Sequence, residues 1–405
     1  MQKINMLDYR SHAGYYILYG LKGLSIYLIM FCIMHLSSRI SFFDFGTRYS
    51  LFLIILPLLN FGVASLVLRH SYSYKNQQND FSFGFLVQAI AFVIALIYLS
   101  QSAEIALVIF WSIFRSAYLS YEAFLISKRN YIYLTYLYSY YIFGALLISF
   151  GISNKFIDSL ENLLLSFVVL EFISVPLVCR HLSLKNNWFV IKSRHIRSRI
   201  FKYVIPITAI SGLLALFLNS DKLIVSSLGI VDNQESYIFI FFLLLAIHRF
   251  VTTPFIMRFS TIFYLSESHI IPRKIIIVGI SVIILSILIL AIILSYFPTL
   301  SYVDEHFIAF SFLVISLYFI NLQMLFYKKK KTLYLLARNI FFGVTTSLTV
   351  MFTVLINLGF QYIDVAILIN SIVMLYSIAH SDLSVSKSYL IALTLTAILL
   401  LVVRL

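Results

Sequence analysis

Eight ionisable side chains stand inside long apolar runs: Lys22, Arg115, Lys222, Arg249 and Arg338, with Glu122, Glu171 and Asp221. A charge at the centre of a bilayer costs about 3 kcal/mol or more, so each must face a partner or a water-filled cavity. At about 1.5 Å of rise per helical residue, Lys22 and Glu122 fall in the inner third of their segments. Arg115, Glu171 and Arg249 fall near the middle, and Asp221 with Lys222 in the outer third. Arg115 and Glu122, seven residues apart, share one helical face. Arg338 lies close enough to the end of its segment to snorkel. Two compatible readings follow. Lys22–Glu122 and Arg115–Glu171 are buried ion pairs that hold the first bundle together, or these charges line a central cavity with five cations against three anions.

Other chemistry is not written in the chain. It has no Gly-rich phosphate loop, HExxH, CxxC or GxSxG. The nine His (12, 35, 70, 181, 195, 248, 269, 306 and 380) are scattered singly, most at membrane borders, with His248 beside Arg249 deep in a segment. Cys32 and Cys179 fall in apolar runs and read as small core residues, not as a disulfide framework or a metal site. The expectation is a protein that is not an enzyme and uses no cofactor and no metal.

The elements that position the charges are set by composition. Of 405 residues, 61% are hydrophobic and 11% charged, against roughly a quarter charged in soluble domains, which excludes a water-soluble enzyme. Segments of about 20 apolar residues, enough to span, occur near 15–38, 48–69, 83–101, 104–127, 131–152 and 160–180. They resume near 203–229, 237–258, 275–297, 306–327, 333–358, 361–380 and, as a short last one, 388–404. The fold class is therefore an all-α polytopic membrane protein: two six-helix bundles around a central cavity, twelve spans plus a short C-terminal span. The divisions are an N-terminal lobe over 1–180, a basic linker over 181–202, a C-terminal lobe over 203–380 and an additional helix within 381–405. The first span is too long for a cleaved signal sequence and reads as an uncleaved anchor.

Orientation follows from counting Lys and Arg on alternate sides. With the N-terminus in the cytoplasm, 21 of the 30 basic residues fall inside and only Arg39, Arg48, Lys155 and Arg404 outside. The outside carries Asp44, Glu104, Asp158, Glu161, Asp232, Glu235, Asp304, Glu305 and Asp364. The net charge of +14 is thus a topology signal and a surface for anionic lipid heads, not for nucleic acid.

The two halves are weakly alike. Leu36-Ser-Ser-Arg-Ile40 with Phe45-Gly46 and Tyr49-Ser50 follows the first segment, as Leu218-Asn-Ser-Asp-Lys222 with Leu228-Gly229 and Ser236-Tyr237 closes the seventh. At these residues the sequence resembles the polysaccharide-transporter branch of the multidrug/oligosaccharidyl-lipid/polysaccharide exporter superfamily, in particular the Wzx-type O-antigen flippases. Leu21-Lys-Gly-Leu-Ser25, His35-Leu-Ser-Ser-Arg39 and Phe43-Asp-Phe-Gly46 are similar to that family's first helix and turn, and Asn60-Phe-Gly-Val-Ala-Ser65 to the close of its second. Tyr203-Val-Ile-Pro206 and Asn219-Ser-Asp-Lys222 resemble its seventh helix, and Asn357-Leu-Gly-Phe360 the turn before its twelfth.

The resemblance implies an alternating-access flippase of the bacterial inner membrane. Its cargo would be an undecaprenyl-pyrophosphate-linked oligosaccharide of O-antigen, capsular or exopolysaccharide type. Lys22, Arg115, Arg249 and Lys222 are the expected substrate-binding cations; Glu122, Asp221 and Glu171 are the expected carriers of a coupling proton or Na⁺. A glycan polymerase and a chain-length regulator are the expected protein partners. Three rivals remain: a lipid-linked glycan polymerase, which would need a large basic outer loop, a small-molecule antiporter of the same superfamily, and a purely structural role.

Overall fold

The computed structural model describes residues 13–37, 39–64, 74–128, 130–172, 176, 204–228, 234–248, 273–295, 303–330 and 333–378. Arg249, the 181–202 linker and the 388–404 segment lie outside the described residues. What is described is all helical. Its twelve α-helices are α1 (Ala13–Leu36), α2 (Phe42–Asn60), α3 (Tyr74–Leu99), α4 (Ala103–Ser127), α5 (Tyr131–Ser153), α6 (Leu160–Phe172), α7 (Ile205–Ser227), α8 (Gln234–Ile247), α9 (Arg273–Ser295), α10 (Val303–Lys330), α11 (Leu333–Asn357) and α12 (Ile363–Ile378). Seven of these are long and apolar enough to cross a membrane. Helix is the expected outcome, because hydrocarbon offers no partner to backbone polar groups and a helix satisfies them within its own segment.

The helices gather into two compact units, Met1–Gly212 and Leu213–Leu405. In the first, α4 is the hub, packed by α2, α3, α5 and α6, while α1 lies along α5. In the second, α10 is the hub, packed by α8, α9, α11 and α12. Adding six to each helix number of the first hub reproduces the second. The likeness of the two halves, faint in sequence, is therefore a repeat of packing order.

The core of the first unit is aromatic. Trp111 of α4 is stacked between Phe52 of α2, 3.8 Å away between ring centroids, and Phe167 of α6 at 4.3 Å. Polar residues tie the neighbouring contacts: Gln88 of α3 donates to Ser116 Oγ of α4 at 2.9 Å. In the second unit α11 and α12 meet closely at Gly343, where a Cβ would come within 3.1 Å of the Met374 sulfur.

One boundary differs from the sequence reading by several residues. The apolar run places the second span from residue 48, yet α2 begins at Phe42, because the Ser41 hydroxyl caps it by accepting from the Asp44 amide. Asp44 in the first turn adds a favourable charge at the helix N-terminus. The same helix stops at Asn60 rather than 69, since Phe61 and Gly62 both take positive φ (45° and 67°).

Candidate functional site

The apolar segments deliver their charges into the interior of each unit. In the first unit, Lys22 of α1 donates from Nζ to Glu122 Oε1 of α4 at 2.6 Å, both side chains buried. Arg115, two turns earlier on α4, donates from Nη1 to Glu171 Oε1 of α6 at 2.9 Å. Tyr118, between them on α4, presents its ring to both cations, 4.9 Å from the Lys22 ammonium and 4.6 Å from the Arg115 guanidinium. Tyr138 of α5 flanks Lys22 at 4.6 Å and Tyr141 flanks Arg115 at 4.7 Å. A cation over a ring face gains electrostatic attraction that grows as water is removed. The arrangement is a charge-balanced quartet inside an aromatic sleeve.

In the second unit the charges sit on the equivalent helices. Asp221 and Lys222, adjacent on α7, bond to each other, Lys222 Nζ donating at 2.8 Å to Asp221 Oδ1 and at 2.8 Å to the Leu218 carbonyl. The Tyr237 hydroxyl of α8 donates to Asp221 Oδ2. The Lys222 ammonium lies 3.0 Å from the Phe241 ring centroid. Tyr237 in turn meets His306 of α10 edge-on, centroids 5.3 Å apart. His306 Nδ1 lies 2.7 Å from Asp364 Oδ1 of α12. Asp221, Lys222, His306 and Asp364 are each buried.

Within the two units the structure pairs six of the residues that the sequence singles out in one pattern, while Arg338 of α11 is exposed. Every described candidate cation holds a candidate coupling carboxylate: Lys22 with Glu122, Arg115 with Glu171, Lys222 with Asp221. Among the described residues the interior ion pairs fall on the first, fourth and sixth helices of each half, that is α1, α4 and α6, then α7, α10 and α12. Sequence reasoning missed His306 and Asp364. It places His306 at a membrane border and Asp364 on the outer side; both are interior, and their pairing offsets the cost of burying them. The tyrosines at 118, 138, 141 and 237 are also passed over, being lost among 28 in the chain. His248, read as deep, is buried and its Nε2 lies 3.2 Å from the Asn321 amide of α10.

Two ion pairs of the first unit lie nearer its surface, one between connecting segments and one between α2 and α4. Arg39 donates to Asp158 at 2.9 Å, and Arg48 lies 2.7 Å from Glu104.

Among solved structures the chain is similar to MATE transporters. A MATE structure in complex with MaL6 superimposes with a TM-score of 0.53 at 12% identity, over 95% of this chain and 96% of that one. A MATE in the straight conformation gives 0.53 at 14% identity, over 95% of each chain. The eukaryotic MATE transporter AtDTX14 gives 0.50 at 13% identity, over 96% of this chain and 98% of that one. No protein-family model matches the chain, and no curated protein matches it in sequence. The chain carries the all-helical, multi-pass membrane fold of these MATE structures over nearly its whole length.

Proposed function

We propose that this chain is a flippase that carries a lipid-linked oligosaccharide from the cytoplasmic to the outer leaflet by alternating access. The observation that supports it is the one-to-one matching of buried cations with buried carboxylates in the interior of a transporter fold. An anionic headgroup, such as a pyrophosphate, competes with Glu122 and Glu171 for the same donors, Lys22 and Arg115. A proton or Na⁺ on the carboxylate releases the cation to the substrate. Ion uptake and anion binding are then linked through each pair, with Lys222 and Asp221 as the corresponding pair of the second half. Arg249 completes the set of substrate cations. In this reading the chain sits in a bacterial inner membrane with its N-terminus in the cytoplasm, next to the polymerase and chain-length regulator that take the delivered units.

A second reading is favoured by the names of the solved neighbours, which are MATE structures. In a small-molecule antiporter the same pairs would open the other way, the freed carboxylate taking a cationic solute. Loss of the gene separates the two. A flippase mutant accumulates single lipid-linked repeat units on the cytoplasmic leaflet. If the mutant instead keeps normal surface glycan and becomes sensitive to cationic compounds, the antiporter reading replaces the first.

A further inference from the structure

The helix α11 has two unlike faces. Leu336, Ile340, Val344, Met351 and Leu355 are buried against the rest of the second unit. At 100° per residue, Arg338, Thr345, Thr346, Thr349 and Thr353 fall together on the other side, and all five are exposed. Phe341, Phe342 and Phe352 flank them, each about half exposed at 52%, 60% and 45%. The lipid-type faces of the same molecule look different. Between Leu86 and Leu99 the exposed positions of α3 are aliphatic or aromatic without exception, including Ile90, Val93 and Ile97.

Each hydroxyl on this face already has its proton engaged. Thr345 and Thr346 donate to carbonyls of Phe341 and Phe342 at 3.0 and 2.9 Å, Thr349 donates to Thr345 at 3.0 Å, and Thr353 to Thr349 at 2.8 Å. What each oxygen presents outward is therefore lone pairs. Four acceptors in a row suit a partner rich in hydroxyl donors, and they suit a phosphate, itself an acceptor, poorly. Arg338, on the same line toward the start of the helix, supplies the complementary charge for a phosphate, and the basic run 328–331 precedes it in sequence. Exposed phenylalanine rings can cover the C–H faces of sugar rings. Aromatic, acceptor and terminal cation together describe a surface for an oligosaccharide whose phosphate end lies toward Arg338.

We propose that this face of α11 is a glycan-contact surface, on which Thr345, Thr349 and Thr353 accept hydrogen bonds from sugar hydroxyls. The proposal rests on the flippase reading and names the part of the cargo that one helix handles. Valine is close to threonine in shape and lacks the acceptor. A triple variant, Thr345→Val, Thr349→Val, Thr353→Val, assayed for transfer of lipid-linked repeat units, is expected to lose about tenfold or more of the wild-type rate, as the loss of three neutral hydrogen bonds allows. The triple Thr→Ser variant keeps the oxygens and is expected to stay near wild type, which separates lost contacts from a misfolded helix. In a background with Cys32 and Cys179 replaced by Ala, the Thr349→Cys variant should react with a membrane-impermeant maleimide. Three results would each overturn the proposal and leave the flippase reading in place. They are wild-type transfer by the Val variant, equal losses in the Val and Ser variants, and labelling of the Thr349→Cys variant by a lipid-soluble reagent alone. The flippase reading falls separately, on the absence of accumulated repeat units in the gene-loss strain.

Discussion

Lys22 and Glu122 are a hundred residues apart in sequence and 2.6 Å apart in space, joining α1 to the hub helix α4. Neither charge is tolerable there without the other. Truncating one partner of a buried pair leaves the other uncompensated, at a cost of about 3–5 kcal/mol, whereas removing both is far milder. Lys22→Ala should therefore lower the yield and unfolding temperature in detergent, and adding Glu122→Ala should restore much of both. Additive losses in the double variant would show that the two side chains act independently.

The carboxylates separate structure from coupling. Glu122→Gln, Glu171→Gln and Asp221→Asn keep a side-chain acceptor toward Lys22, Arg115 and Lys222, at an expected stability cost of about 1–3 kcal/mol each. Transport should be lost in at least one, with the protein still inserted. Full activity in all three amides would remove these positions from the coupling step.

Arg249 has a different expectation, drawn from the sequence alone. By its place along its segment, no carboxylate of the seventh to twelfth segments lies near its depth, so Arg249→Ala should abolish transport while expression is unchanged. Arg249→Lys should recover part of it, keeping the charge but not the planar fork that grips a phosphate. An Ala variant with wild-type transport would show that this cation takes no part in binding.

Helix packing in the second unit offers a test of the fold itself. A Cβ on Gly279 of α9 would run into the Tyr318 ring and hydroxyl of α10. Gly279→Ala should destabilise by about 1–3 kcal/mol, as overpacking does, and Tyr318→Phe in addition should relieve part of that. The exposed Arg39–Asp158 pair is the counterpoint: as a surface pair it should contribute no more than about 1 kcal/mol, so Arg39→Ala should leave thermal stability nearly unchanged. Reporter fusions at Arg39 and at Asp158 should give one signal and a fusion within 181–202 the opposite one. A shared signal would contradict the assigned topology.

Much of this was legible in the sequence because a membrane makes interior charge expensive. Lys22, Glu122, Arg115 and Glu171 stood out against apolar surroundings, and matching their depths was enough to match the partners. His306 and Asp364 escaped for the opposite reason. Each lies near the start of its helix, next to Asp304 and Glu305 or the Asn357–Gly359 turn, where a polar residue looks like loop. Their burial depends on α10 and α12 packing side by side, a long-range fact that spacing along one segment does not carry. The early start of α2 was hidden likewise, since Ser41 and Asp44 read as loop until the capping hydrogen bond shows them to be a helix start. The acceptor face of α11 is written plainly as Thr345-Thr346, Thr349 and Thr353, but only the back-bonded hydroxyls show which atoms it offers.

The central claim is movement of a lipid-linked oligosaccharide across a bilayer. The direct measurement uses purified protein in proteoliposomes loaded with such a lipid, its glycan bearing a fluorophore that an impermeant reductant quenches from outside. With an ion gradient imposed, the protein should raise the quenchable fraction beyond that of empty liposomes, and Glu122→Gln should not. A quenchable fraction equal to that of empty liposomes, with the same preparation exporting a cationic dye against the gradient, would contradict the flippase and establish the antiporter.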